Sequence, residues 1–240
     1  MKKYLSLFAF ALFAGALAFS LSACGGDDDE NSETPSGGGN VDNGHVYVDL
    51  GLPSGLKWAD RNVGADKVEA YGNYFAWGET TAKYDYSWST YAYGSDYNKL
   101  TKYCSKSSYG LNGFTDALTE LELSDDAARA NWGGSWRMPT SADFQELINN
   151  TTAEWVENYN GTGVKGYRFT ASNGNYIFLP AAGCRFDTSI LRVDSYGYCW
   201  SRSPGQSYLY CAYSLDFNRY GVGVDSDNRN FGHSVRPVRP

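Results

Sequence analysis

The histidines and cysteines limit the catalytic chemistry that this 240-residue chain can support. Only two histidines occur, His45 and His233, so a Ser-His-Asp or Cys-His site must use one of them. Both flank strand-like runs, where a solvent-facing or capping role is the commoner one. A zinc site needs three or four His or Cys ligands at suitable spacing, and no such spacing occurs. The sequence therefore predicts a non-catalytic chain without metal or cofactor, although a pair of carboxylates acting as a hydrolase stays open as the less favoured alternative.

Aromatic residues are the strongest indication of a binding function. The chain has 20 Tyr, 12 Phe and 7 Trp, and Tyr and Trp combine large contact areas with a polar group. Aromatic faces beside Arg and Asp suit stacking and hydrogen bonding to a glycan or a protein ligand, which requires residues 184–198 and 218–230 to form one cleft. The alternative is that alternating aromatics form the buried face of strands. The candidate ligand-binding residues are Arg185, Asp187, Tyr196, Tyr198, Trp200, Arg219, Tyr220 and Arg229.

Two cysteines are candidates for a disulfide bond. A hairpin that turns about Gly205 would place Cys199 opposite Cys211. A bond between them could stabilise the fold by roughly 3 kcal/mol in the chain-entropy model. Cys104 and Cys184 are the other cysteines of the folded region. The alternative for the pair, two buried free thiols that behave as small apolar residues, stays open.

The N-terminus predicts export and a lipid anchor. Lys2 and Lys3 precede an apolar run and a small-residue cleavage site, so residues 1–23 are expected to be a signal peptide. Residues 21–24, Leu-Ser-Ala-Cys, resemble a bacterial lipobox, which implies lipid on Cys24 and attachment to the membrane through it. Two or three acyl chains make such an anchor stable. Cleavage removes two lysines, so the net charge of −7 becomes −9, which argues against a nucleic-acid partner.

Residues 24–44 predict a flexible tether of Gly, Ser, Asp and Asn with almost no apolar residue to bury. Gly25 lacks the Asp that marks inner-membrane retention in enteric bacteria. The acidic run 27–30 resembles the export signal of surface lipoproteins in Bacteroidetes. We therefore expect an outer-membrane lipoprotein exposed on the cell surface, with a periplasmic location as the alternative.

Strand-like segments dominate residues 45–240, which we interpret as one domain. Alternating runs bounded by Gly, Pro and Asn predict strands over 45–50, 55–60 and 71–78, hairpins over 167–179 and 196–217, and a closing strand over 234–238. Residues 80–115 predict a long surface segment. Two helices are expected, one capped by Ser124 and one by Thr140, with Asp143 completing a capping box. Phe144, Leu147 and Ile148 form the buried stripe of the second helix.

Four motifs in this order resemble the Fibrobacter succinogenes major paralogous domain, a family of Bacteroidetes lipoproteins. They lie at 48–59, 71–79 (Tyr-Gly-Asn-Tyr-Phe-Ala-Trp-Gly-Glu), 136–140 (Trp-Arg-Met-Pro-Thr) and 234–238 (Ser-Val-Arg-Pro-Val). That family resembles the C-type lectin-like and formylglycine-generating-enzyme folds. The resemblance implies an α+β domain with a twisted antiparallel sheet, two helices and long loops.

This sequence does not contain the motifs on which the chemistries of those related folds depend. The lectin calcium motifs Glu-Pro-Asn, Gln-Pro-Asp and Trp-Asn-Asp do not occur, and Asp225, Asp227 and Asn228 read as a solvated turn rather than a calcium site. Formylglycine-type oxidation needs a second cysteine near the C-terminus, and none follows Cys211. We therefore expect a binding module for glycan or protein, with a structural or adhesin-type role at the cell surface as the alternative.

Overall fold

Antiparallel sheets form most of the regular structure in the computed structural model, which describes residues 40–240. The predicted signal peptide, Cys24 and the tether as far as residue 39 lie outside the described residues. Within 40–240 the chain forms twelve strands and two α-helices, and neighbouring strands of each sheet run antiparallel. The α+β architecture is therefore as expected from the sequence.

The first sheet has the order β1-β2-β3-β12. Its strands are β1 (Asn40–Asp42), β2 (His45–Val48), β3 (Lys57–Ala59) and β12 (Val238–Arg239). Asn43 and Gly44 form the turn between β1 and β2, with φ of 47° and 81°, because a two-residue hairpin favours left-handed residues. The prediction that residues 40–44 belong to the tether is therefore wrong, since they already pair with the folded region.

The second sheet has the order β4-β5-β6. Its strands are β4 (Thr151–Val156), β5 (Gly166–Ala171) and β6 (Tyr176–Pro180). The hairpin of β5 and β6 confirms the prediction made from the Asn-Gly turn at 173–174. Strand β4 was not predicted, because it follows the second helix directly with no turn residue between them.

The third sheet has the order β11-β10-β9 and carries most of the candidate residues. Its strands are β9 (Tyr196–Pro204), β10 (Cys211–Asn218) and β11 (Gly221–Asn228). The β9–β10 hairpin is confirmed, whereas the solvated turn predicted at 225–228 is wrong, because these residues pair with β10. A separate two-stranded hairpin contains β7 (Cys184–Phe186) and β8 (Ser189–Leu191).

Two α-helices pack against these sheets. Helix α1 (Ala127–Trp132) is capped by Asp126 rather than the predicted Ser124, and the Asp126 carboxylate accepts from the Arg129 amide. Helix α2 (Ser141–Asn150) has the predicted Thr140 cap and capping box. Four short 3-10 helices complete the regular elements: Trp88–Thr90, Leu111–Gly113, Leu123–Asp125 and Tyr159–Gly161.

Two predicted segments differ in detail from the structure. The aromatic run 71–78 is not a strand: only Phe75 forms a strand-like bridge, to His233, and the run ends in a turn at 77–78. The long segment 80–115 is irregular as expected, yet it is not confined to the surface. Its Tyr86, Leu100 and Tyr103 are all at most 2% exposed, because aromatic and aliphatic side chains of this segment fill space beside the sheets.

The motifs at 136–140 and 234–238 form buried hydrogen bonds that connect separate elements of the fold. The Met138 amide donates to the buried Asp126 carboxylate, which joins helix α1 to the entry of helix α2. Arg236 is completely buried and donates to three oxygens, those of Asn62, Ala59 and Phe178, at 2.8–3.0 Å. Burial lowers the pKa of Arg236 to about 10. These interactions explain the two motifs as structural ones.

Candidate functional site

Three of the candidate ligand-binding residues are buried and serve the core. Trp200 is 0% exposed and its indole donates to the Phe75 carbonyl. Arg229 is also 0% exposed and donates to three backbone carbonyls, while its guanidinium lies 4.5 Å from the centre of the Trp77 ring. Tyr198 is 4% exposed. The prediction that these three side chains contact a ligand is therefore wrong, because the packing leaves no surface for one.

Arg185 and Asp187 lie together on the β7–β8 hairpin, away from the other candidates. The Arg185 guanidinium lies 5.6 Å from the centre of the Tyr74 ring, and the Arg185 backbone pairs with Gly232. Asp187 is exposed at the hairpin turn with φ of 48°. Phe186, Ile190 and Leu191 of the same hairpin are 41–44% exposed. The hairpin is thus an apolar surface feature bordered by charge.

The remaining candidates, Tyr196, Arg219 and Tyr220, meet in one cleft with a volume of about 180 Å³. Tyr196 begins β9, and Arg219 and Tyr220 form the two-residue turn between β10 and β11. Tyr220 is 87% exposed, so its ring is open to solvent. We name this site the charged cleft; its other lining residues are Trp155, Glu157, Lys165, Asp194, Ser195 and Asn218. Parts of the segments 184–198 and 218–230 therefore do form a cleft.

The cleft is lined by two carboxylates, Glu157 and Asp194, and two cations, Lys165 and Arg219, of which only Lys165 and Glu157 form an ion pair. The Lys165 ammonium lies 3.1 Å from Glu157 and lowers the pKa of that carboxyl below its ordinary value. The Asp194 carboxylate accepts from the Tyr71 hydroxyl at 2.6 Å. Among the described residues, no ion pair includes Arg219, whose guanidinium lies 5.7 Å from the centre of the Tyr220 ring. Arg219 therefore has no ion-pair partner among the described residues, although its charge contributes to the lowered pKa of Glu157.

Sequence reasoning missed Trp155, Glu157 and Lys165. All three come from β4 or the β4–β5 connection, which was not assigned to any element. The alternation of Thr, Ala and Trp with polar residues over 151–156 was a signal for the strand. Nothing in the sequence alone indicated that β4 ends beside the β10–β11 turn, because that contact is long-range.

A second and larger cavity, of about 610 Å³, lies at the other end of the β9–β10 hairpin. Its wall consists of the loop 103–120, the start of helix α2 and the hairpin tip 203–213. We name this cavity the hairpin pocket. Its lining residues are Tyr103, Ser105, Asp116, Ala117, Leu118, Thr119, Glu120, Ser141, Ser203, Pro204, Gly205, Gln206, Leu209 and Tyr213.

Both histidines stack against aromatic side chains. His233 is fully buried between the rings of Trp200, at 4.0 Å, and Tyr198, at 5.0 Å, and lies 3.4 Å from the Asp227 carboxylate. On the same sheet, burial raises the pKa of Asp216 to about 6, against an opposing effect of His233. His45 stacks on Trp132 at 3.8 Å. Both imidazoles therefore pack as aromatic rings against neighbouring side chains.

The disulfide predicted between Cys199 and Cys211 is not present; all four cysteines of the described residues are buried free thiols. Cys199 lies opposite Leu215, because the turn spans residues 205–210 and is centred beyond Gly205. Burial raises the pKa of Cys199 to about 12 and that of Cys211 to about 11. These thiols are therefore poor nucleophiles.

Residues 40–240 contain no group of three or more His, Cys, Asp or Glu side chains suited to hold a metal ion. Of the helices in this range, none has both the length and the apolar character needed to cross a bilayer. Comparison with protein-family models, curated proteins and solved structures gave no match.

Proposed function

We propose that this chain is a surface-exposed outer-membrane lipoprotein whose domain, of C-type lectin-like fold, is a non-catalytic module that binds glycans. The signal peptide and Cys24 would deliver and anchor it, and the Bacteroidetes lipoprotein family is the one to which we assign it. The charged cleft is the observation that carries the binding function, because three candidate residues from two separate segments, the start of β9 and the β10–β11 turn, meet there.

The ligand that this cleft fits best is an acidic sugar unit. The exposed Tyr220 ring offers a π-face for the C–H face of a pyranose, and Trp155 and Tyr196 supply further aromatic surface. Arg219 supplies a planar cation suited to a carboxylate. A volume of about 180 Å³ lies below the range of roughly 300–1,000 Å³ for drug-sized ligands, which favours a single sugar ring over a larger group.

Binding of acidic oligosaccharides to the full chain tests this function. Oligogalacturonates should bind in a calorimetric titration, and Tyr220→Ala should weaken binding about tenfold through loss of stacking worth about 1.4 kcal/mol. Tyr84→Ala is the matched control, since Tyr84 is 73% exposed and lines neither cavity. Equal affinity in Tyr220→Ala and the native chain would contradict this site.

Surface display requires a separate test in the native host. Cys24→Ser should abolish incorporation of labelled palmitate, and protease added to intact cells should remove the native protein from the surface. Protection from protease in intact cells with normal acylation would place the domain on the periplasmic side instead.

The β7–β8 hairpin favours an adhesin-type role as the second candidate function. Its exposed Phe186, Ile190 and Leu191 form an apolar surface of the kind that marks protein contacts. If so, a fixed partner protein should co-purify with the native chain but not with the Ile190→Asp variant. Glycan binding should be the same in both.

A further inference from the structure

The hairpin pocket has no positively charged lining residue, and its two carboxylates are already occupied. The Asp116 carboxylate accepts from three backbone N–H groups at 2.6, 3.0 and 3.3 Å. The Glu120 carboxylate lies 3.3 Å from the Arg202 guanidinium. Both negative charges therefore have partners within the protein, so a ligand is not needed to neutralise them.

Hydroxyl and amide groups supply the rest of the polar lining. Ser105, Thr119, Ser141 and Gln206 can each donate and accept hydrogen bonds. Apolar and aromatic side chains such as Leu118, Leu209 and Tyr213 lie between them. A lining that alternates such groups matches a ligand with many hydroxyls on an otherwise apolar ring skeleton.

An aromatic surface begins beside this pocket. Tyr210 lies at the centre of a group of tyrosines, with ring centres of Tyr97, Tyr109 and Tyr208 at 5.9, 6.0 and 5.7 Å from its own. Tyr97 and Tyr208 are 52% and 56% exposed. We name these four residues the tyrosine shelf. Leu209, which lines the pocket, lies between Tyr208 and Tyr210 in the chain, so the shelf adjoins the pocket along the hairpin tip.

We propose that the hairpin pocket is a second binding site, for an uncharged oligosaccharide, and that the tyrosine shelf holds the sugar units that extend beyond it. The pocket volume of about 610 Å³ lies within the range of typical small-ligand cavities. Because both pocket carboxylates have partners within the protein, the ligand does not need to carry a charge. The hydroxyl groups of the lining can bind sugar hydroxyls, and the tyrosine rings can stack on pyranose faces. This site does not depend on the charged cleft.

Titration of the full chain with neutral hexasaccharides tests the proposal; cellohexaose, laminarihexaose, xylohexaose and mannohexaose are the probes. At least one should bind, with an affinity that changes less than twofold between about 50 mM and about 500 mM NaCl, because no charge is neutralised. Tyr213→Ala should weaken that binding about tenfold, and Tyr220→Ala in the charged cleft should leave it unchanged.

Two further variants distinguish a loss of ligand contacts from a loss of folding. Gln206 is exposed on the hairpin tip, so Gln206→Ala should weaken binding about threefold with unchanged thermal unfolding. Tyr208→Ala should weaken the hexasaccharide but not the matching disaccharide. The proposal is overturned if none of the four probes binds at millimolar concentration, or if binding is lost in Tyr220→Ala and retained in Tyr213→Ala and Gln206→Ala.

Discussion

The charged cleft and the hairpin pocket lie at opposite ends of the β9–β10 ladder. Tyr196, at the start of β9, lines the cleft, and Pro204, at its end, lines the pocket. Eight residue steps along a strand span about 26 Å. The cleft is small and carries a cation with no ion-pair partner among the described residues, whereas the pocket is larger and its charges are paired. The same sheet can therefore present two chemically different surfaces, because its turns and neighbouring loops, rather than its strands, supply the lining.

Charge reversal in the charged cleft should change ligand affinity more than any other substitution proposed here. Arg219→Glu replaces the available cation with an anion beside Glu157, so we expect roughly hundredfold weaker binding of oligogalacturonates, about 2.7 kcal/mol. Arg219→Lys, the matched control, keeps the charge but loses the planar guanidinium, so it should weaken binding far less than Arg219→Glu. Calorimetry measures both. An Arg219→Glu variant that binds acidic sugars normally would remove the chemical distinction between the two sites.

The next effect concerns the sheet that both sites share. Burial raises the pKa of Asp216 to about 6, so the folded state binds more protons than the unfolded state between about pH 4 and pH 6, and stability falls as pH rises through that window. Asp216→Asn should therefore raise the free energy of unfolding by roughly 2 kcal/mol at pH 8, and much less at pH 4.

Urea unfolding at the two pH values measures this difference. Asp66→Asn, at an exposed position whose charge is not among those acting on Asp216, is the control. Both ligands should bind the Asp216→Asn variant normally, because Asp216 lines neither site. A variant that is less stable than the native chain at pH 8 would show that the ionised carboxylate is favourable in the fold.

The smallest effect is the coupling between the two sites. Substitutions further apart than about 10 Å without shared partners are expected to add within about 0.5 kcal/mol. In the double variant Tyr213→Ala with Tyr220→Ala, the affinity for the acidic sugar should therefore fall only as far as in Tyr220→Ala. The affinity for the neutral sugar should fall only as far as in Tyr213→Ala. A coupling energy above about 1 kcal/mol would mean that the two sites act as one.

Local rules predicted much of the fold and three of the nine residues that line the charged cleft. The Thr140–Asp143 capping box and the Asn173-Gly174 turn depend on neighbouring residues, so the sequence is sufficient for them. The β9–β10 register was predicted wrongly because the turn spans residues 205–210 and is centred beyond Gly205. The Pro-Gly pair indicates a turn without fixing its centre, and the candidate Cys199–Cys211 bond depended on a turn centred at Gly205.

Long-range packing accounts for what the sequence did not reveal. Arg229 and Trp200 have the residue types of a ligand site, but segments more than 100 positions away supply all but one of their hydrogen-bond acceptors. The hairpin pocket was missed for the same reason, since its wall joins residues 103–120 to residues 203–213. Residue type indicates what a side chain can bind. Only the fold decides whether that side chain binds a ligand or another part of the protein.

A competition titration tests the central claim most directly. The full chain is saturated with an oligogalacturonate and then titrated with the neutral hexasaccharide that binds most tightly. Two separate sites predict an unchanged affinity for the neutral sugar and a final stoichiometry of one molecule of each. Displacement of the acidic sugar by the neutral one, or binding of only one of the two classes, would contradict the account.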